Sequence, residues 1–350
     1  VIMRFRDTVV HVRLNRILVF IILLGLLGGC QTPEGEGALA SSDVQEPEMT
    51  STPTLPLTWT PTPSPTATPT MTPTPTIRPT ITPFVCTQSQ GETQEGAFWS
   101  QAIQEDIRFL VHLPPCYPSY PYRAFPVLYL LHGWPLNEHH WKDLGITDIA
   151  DIWISQGLIG PLIIVMPGVT DADGRYVHSS GGDQSFEGVV VNELVPMIDA
   201  EYRTWRVPEG RAIGGISRGG VWSLEIGLRN PDVFGIVGGH SPALAVNHPL
   251  PAYDPFFLAE SGAPGQRVYL DAGDIDWTRA ATLQLHDLLL EKGADVVYQV
   301  HEGGHVDALW RQGLPDYLHF YTRTWPATVE DLPERRVANT DGEWSERVEE

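Results

Sequence analysis

Cysteine is scarce in this chain, three in 350 residues, which argues against a disulfide-stapled scaffold. Basic side chains are also few, 22 Lys and Arg against 43 Asp and Glu, for a formal charge of −21. Nucleic acid and anionic lipid are bound through basic patches, so this balance argues against both as partners. The acidity reads most simply as solubility. Long apolar runs are missing too: Ile17 to Leu27 is eleven residues, short of the roughly 20 needed to span a bilayer. A helix is missing where one motif would require it. The stretch "VYQVHEGGHVDALW" (298–311) contains a literal H-E-x-x-H, which binds zinc only when both histidines share one helix face. Gly303 and Gly304 each cost roughly 1 kcal/mol in a helix interior, and the preceding "ADVVYQV" is β-branched and aromatic like a strand. The motif therefore reads as a strand end and a glycine-rich loop, with no metal site.

The chain has four parts. Residues 1–29 carry Arg4, Arg6, Arg13 and Arg16, then the apolar run, then "LGGC", the layout of a signal peptide. The small residues before Cys30 resemble a bacterial lipobox, which implies cleavage before Cys30, diacylation of its sulfur and export to the outer face of a membrane. Residues 30–85 read as a stalk: between Ser51 and Pro83, 23 of 33 residues are Thr or Pro, a composition that builds no core and favours extended chain. At about 3.1 Å per residue it reaches on the order of 100 Å. Residues 86–326 are long enough for one sizeable core, and 327–350 read as an acidic, solvated tail. With Cys30 assigned to lipid, Cys86 and Cys116 remain, and an exported chain meets oxidising conditions, so the two are expected to pair.

Within 86–326, apolar strand-like runs alternate with helical ones: "IRFLVHL", "PVLYLLHG", "PLIIVMPG", a long helix from Phe186 to about Arg203, "RAIGGIS", "IVGGHSPAL", "RVYLDAG" and "VVYQVHEGGH". Apolar strands interleaved with helices mean a mostly parallel sheet covered on both faces, an α/β fold. Gly215-Ile216-Ser217-Arg218-Gly219 is a G-x-S-x-G sequence between such a strand and a helical run. That context suits a strained turn that thrusts a nucleophilic serine outward at a helix N-terminus.

A serine hydroxyl needs a base and an acid to orient it, which follow the serine in chain order in this arrangement. Of the histidines that follow the serine, only His301 and His305 lie at the end of the last strand run or in the loop after it. His305 sits two glycines into the loop and is favoured over His301, which is still at the strand end. For the acid, "YLDAGDIDW" offers Asp271, which lies in the strand, and Asp274 and Asp276 past Gly273; Asp276 is preferred, although a carboxylate there could instead cap the following helix. The oxyanion needs two backbone donors: Arg218, after the nucleophile, and Trp134, in the loop after "VLYLLHG". His132 reads as a brace for that loop.

The blocks "LPPCYPSYPYRAFPVLYLLHGWPLNEHHW", "ELVPMIDAEYRT", "RAIGGISRGG", "VFGIVGGHSPAL" and "EGGHVDALWRQGL" together resemble the esterase D and feruloyl esterase branch of the α/β-hydrolases, which also includes enterochelin esterases and mycolyltransferases. The similarity runs from roughly 105 to 322. It implies Ser217 as nucleophile, Asp276 as acid, His305 as base and Trp134 and Arg218 as oxyanion donors, with no cofactor. Two positions depart from the family: Arg218 stands where methionine is common, which puts a cation at the pocket wall, and "LPPCY" replaces "LPPGY", which supplies a half-cystine. Ester hydrolysis leads; acyl transfer to a sugar or lipid, or a catalytically inactive binding module on a stalk, are the alternatives. Trp134, Trp141 and Trp222 are candidates for an aromatic or sugar-stacking pocket.

Overall fold

The computed structural model describes residues 86–169, 181–247, 249–335, 337–338 and 344–345. The leader, Cys30, the Thr/Pro stretch to residue 85 and, within the acidic tail, residues 336, 339–343 and 346–350 lie outside the described residues.

Eight strands form one sheet: β1 (Glu92–Ser100), β2 (Glu105–Leu113), β3 (Val127–Leu131), β4 (Ile163–Val169), β5 (Arg211–Ile216), β6 (Ile236–His240), β7 (Arg267–Gly273) and β8 (Asp295–His301). Their order is β1-β2-β4-β3-β5-β6-β7-β8. β2 pairs antiparallel with β1 and β4, and every other pairing is parallel. The apolar runs of the sequence become the strands because both faces are covered. All five residues of β3 are buried, with Val127, Tyr129 and Leu131 in one core cluster and Leu128 and Leu130 in the other. This is the period-2 alternation of a strand packed on both sides. β1 is the strand the apolar pattern does not announce. Its sequence "ETQEGAFWS" is largely polar and half-exposed, as suits an edge held by its ladder to β2 rather than by burial.

The helices are α1 (His140–Leu144), α2 (Ile146–Ser155), α3 (Phe186–Gly188), α4 (Val195–Glu201), α5 (Arg218–Arg229), α6 (Pro255–Ala259), α7 (Arg279–Glu291) and α8 (Asp307–Thr322). The single long helix expected from Phe186 is instead α3 and α4 joined by a π-helical stretch, Val189–Leu194. Pro196 explains the widened turn: it lacks the N–H for the i−4 bond and its ring crowds the carbonyl four residues back. The domain also runs past residue 326. Leu332 is buried, Ala124 N–H donates to the Pro333 carbonyl at 2.8 Å and Arg335 N–H to that of Tyr122 at 2.8 Å. Residues 327–335 therefore belong to the packed body rather than to a solvated tail.

Cys86 and Cys116 form a disulfide that closes a 30-residue separation and pins the chain ahead of β1 to the segment after β2. Closing such a loop constrains the unfolded chain by about 3 kcal/mol in the chain-entropy account. Cys116→Ala is expected to lower unfolding stability by about that amount, as measured by urea titration of the oxidised protein. A variant as stable as the parent would refute a stabilising role.

Candidate active site

The residues singled out in the sequence sit at the carboxyl ends of four parallel strands: Trp134 after β3, Ser217 after β5, Asp276 after β7 and His305 after β8. Ser217 has φ 56° and ψ −115°, a region costing an L-residue roughly 1–3 kcal/mol. Three backbone bonds hold it: Ser217 N–H donates to the His240 carbonyl at 2.9 Å, and the Ser217 carbonyl accepts from Ala243 at 3.0 Å and Val221 at 3.2 Å. The flanking glycines have a steric cause. A Cβ at position 215 would lie 2.1 Å from the Gly219 carbonyl oxygen, and one at position 219 would lie 2.4 Å from that of His132.

The imidazole of His305 joins the serine to a carboxylate. Its Nε2 is 2.8 Å from Ser217 Oγ, and its Nδ1 is 3.1 Å from each Asp276 carboxylate oxygen. With Nδ1 protonated, it donates to Asp276 while Nε2 accepts from the serine hydroxyl. Burial alone would push the Asp276 carboxyl up, but the bonds from His305 and the Thr278 amide hold it below its ordinary value. The Thr278 N–H to Asp276 Oδ1 bond, 2.9 Å, also holds the turn ahead of α7, whose N-cap is Thr278. Asp274 does something different. Its Oδ1 accepts from Gly303 N–H at 2.8 Å, and its own N–H donates to the His301 carbonyl at 2.8 Å, stitching the turn after β7 to the loop carrying His305. That loop leaves β8 at His301 and bends at Gly303, φ +135°; α8 begins only at Asp307. The H-E-x-x-H residues are thus a strand end and a loop. Among the described residues there is no group of three or more metal-type side chains placed to hold an ion.

His301 belongs to a second, deeper network. Asp271, fully buried, accepts from Tyr317 Oη at 2.6 Å and from Ser241 N–H at 3.1 Å. His301 Nε2 approaches Oδ2, the oxygen bonded to Tyr317, at 3.3 Å, and His240 Nδ1 approaches Oδ1, the oxygen bonded to Ser241, at 3.5 Å, in ion-pair rather than hydrogen-bond geometry. His240 Nε2 meets Tyr321 Oη at 2.8 Å. The network touches Ser217 through the backbone, because the His240 carbonyl receives Ser217 N–H. Sequence reasoning missed it: Asp271 and His240 are single polar residues inside apolar strands, and that interruption is the available signal.

Arg218 is the first residue of α5, which puts its amide at the helix N-terminus. Trp134 lies in a tight turn where Leu136 N–H donates to the Gly133 carbonyl at 2.8 Å and the Trp134–Pro135 peptide is cis. Two histidines brace this turn. His132 Nδ1 bonds the Gly133 carbonyl at 3.0 Å, and His140 Nδ1 accepts from Gly133 N–H at 3.2 Å. Burial lowers His132 to about 4, which keeps it neutral and unsuited to acting as a base near neutrality. The Arg218 side chain is buried, its guanidinium 4.6 Å above the Trp222 ring. Trp141 and Trp222 are core residues, whereas Trp134 is 50% exposed. A tryptophan not singled out in the sequence, Trp277, is 48% exposed and packs with its ring centroid 4.8 Å from that of His305.

Fold and site together define a serine hydrolase of the α/β-hydrolase class. The chain belongs to the Esterase family, whose model matches residues 100–321. It is 35% identical over 158 residues to an endo-1,4-beta-xylanase/feruloyl esterase of Xylanibacter ruminicola, covering 43% of this chain and 21% of that protein. It is 27% identical over 197 residues to an iron(III) salmochelin esterase of Escherichia coli, covering 52% and 48%. The chain thus spans about a fifth and about half of these two relatives. Among solved structures, a ferulic acid esterase superposes with a TM-score of 0.59 at 24% identity, covering 67% of this chain and 99% of that one. A ferulic acid esterase from Anaeromyces mucronatus gives 0.55 at 20%, covering 68% and 92%. At these identities the superpositions speak for the fold.

Proposed function

We propose that this protein hydrolyses carboxylic esters held outside the cell, through an acyl-serine at Ser217. The observation that carries the reading is the continuous relay of Ser217 Oγ, His305 and Asp276. His305 Nε2 takes the hydroxyl proton as Oγ attacks the ester carbon. The developing oxyanion is held by the backbone amides of Trp134 and Arg218, the latter helped by the positive end of α5. His305 then gives that proton to the leaving alcohol oxygen as the ester bond breaks. Asp276 stabilises the imidazolium and fixes the tautomer throughout. Water repeats the attack, passing its proton to His305, and the acid leaves as the proton returns to Ser217.

The relatives named as a feruloyl esterase and a salmochelin esterase support carboxylic esters as the substrate class, and the first of them supports esters of an aromatic acid. Diacylation at Cys30 would anchor the chain stably, since two fatty chains suffice where one is marginal. The Thr/Pro stalk would then carry the site away from the bilayer, which suits an extended extracellular polymer. Cys30→Ser is expected to release the full-length protein from the membrane fraction while it still cleaves p-nitrophenyl acetate and methyl ferulate. A released, folded variant that no longer cleaves the small ester would instead favour acyl transfer at the membrane.

A further inference from the structure

The chemistry above uses the Arg218 amide and leaves its side chain without a role. Arg218, Trp222 and Glu225 are spaced i, i+4, i+7 along α5, so they share one face of the helix. The guanidinium lies 4.6 Å above the Trp222 ring, and that ring meets Phe186 of α3 edge-on, centroids 5.7 Å apart. Glu225, next along the face, is fully buried, and neither of its carboxyl oxygens is hydrogen-bonded. The Gly181 amide comes near without completing a bond. Glu187 crowds the same spot: a Cβ on Gly181 would lie 2.2 Å from Glu225 Oε1 and 2.5 Å from Glu187 Oε2. The two carboxyls are served unequally. Glu187 Oε2 accepts from Gly182 N–H at 2.5 Å, and its Oε1 accepts from Arg229 Nε and Asn230 Nδ2 at 2.9 Å each, whereas Glu225 has nothing comparable.

A buried carboxylate without hydrogen bonds is costly, and a second carboxylate beside it adds to the cost. Among the described residues, the charged groups facing Glu225 are Arg218 and Arg229 from its own helix and Glu187 from α3, with Tyr253 packed against Gly181 and Gly182. Burial pushes the Glu225 carboxyl up to about 8, with Arg218 opposing the rise and Glu187 adding to it. At neutral pH it holds its proton. That proton bears on the oxyanion because the Arg218 amide opens α5, at the helix's positive end. Seven residues separate it from Glu225, about 10 Å along the axis. At an effective dielectric of about 20, a full negative charge at that distance opposes an oxyanion by on the order of tenfold in rate, and the partial charge of a transition state brings this to roughly fivefold.

We propose that Glu225 acts on the oxyanion site through Arg218, as a positioning residue: protonated, it leaves the guanidinium charge to the face of α5 behind Ser217, and ionised, it opposes that charge and weakens the hold on the oxyanion. The inference rests on the acyl-serine reading above. In the test, steady-state kcat of the full-length protein on p-nitrophenyl acetate is measured at pH 7 and at about pH 9.5, corrected for enzyme-free hydrolysis, with near-UV circular dichroism confirming the fold at both. The parent is expected to keep about one fifth of its neutral rate at the higher pH, and Glu225→Gln, which has no proton to lose, to keep nearly all of its own. A purely structural role would lower both rates together and leave their ratio where it was. Arg218→Met keeps the backbone amide and removes the charge that favours the Glu225 carboxylate, so it should move the fall to higher pH; it keeps the test open if Glu225→Gln does not fold. A parent ratio near one, a folded Glu225→Gln with the parent's ratio, or a fall at the same pH in folded Arg218→Met overturns the inference while leaving hydrolysis intact. No p-nitrophenol release at either pH and no organophosphonate label on Ser217 overturns the acyl-serine reading and the inference with it.

Discussion

Ser217→Ala is expected to abolish covalent labelling by an organophosphonate probe, and His305→Ala to lower turnover by several orders of magnitude, about as far as loss of the serine itself. The effects should be similar because the relay acts as a unit: without an imidazole 2.8 Å from Oγ, the hydroxyl keeps its proton and is a poor nucleophile. Asp276→Asn should cost about 10³–10⁴-fold, since an amide paired to Nδ1 no longer favours the productive tautomer. Asp274→Asn should cost much less, because Asp274 bonds the Gly303 amide rather than the imidazole. The rank order is the check, read as steady-state kcat on p-nitrophenyl acetate. Were folded His301→Ala the severe variant and His305→Ala the mild one, the assignment of the base would be wrong.

Asp271→Ala is expected to be the most destabilising single change at the carboxyl end of the sheet, by about 3–5 kcal/mol, the usual result of removing one partner from a buried charged network. The loss would leave the Tyr317 hydroxyl and the Ser241 amide without their acceptor and His240 and His301 without their carboxylate. The pH dependence has a defined sign. Burial alone would raise the Asp271 carboxyl, but its interactions with His240, His301 and Tyr317 lower it to about 2. Its contribution is therefore present above the ordinary value of 3.8 and lost as pH falls from there towards 2. His301 is raised above 6.5 chiefly by Asp271, so its contribution is present below 6.5 and lost as pH rises through the raised value. The pair should stabilise most between about 4 and 6.5. Urea titrations of parent and Asp271→Ala across pH 3 to 9 would show it as a stability difference that narrows at both ends; a constant difference would refute the ion-pair account.

Several features were legible because their causes are local in the chain. The elbow needs glycine at 215 and 219 to avoid contacts made within one strand-turn-helix unit and with the neighbouring strand, and G-x-S-x-G records that need directly. The parallel strands are legible because burial on both faces demands uninterrupted apolar runs. The two glycines that broke the zinc-type helix are a local matter as well. β1 was not legible, since an edge strand is held by its partner's backbone and its own side chains carry little of the signal. The extension to residue 335 was hidden for a similar reason: Pro333 and Arg335 are held by backbone bonds to distant residues.

By itself, the sequence determined the fold class, the position of the outward serine and the short set of histidines and carboxylates from which partners could be drawn. Only the tertiary structure decided among them. Asp274 and Asp276 are two residues apart and alike in composition; they differ because one reaches the Gly303 amide and the other the His305 ring, each contact spanning 29 residues of chain. His301 and His305 likewise divide between Asp271 and Asp276 according to where β8 ends. Trp141 and Trp222 went to the core, while Trp277 packs beside His305. A side chain's type is a property of one position, but its partner is set by how separate strands register against each other, and that register exists only once the sheet has formed.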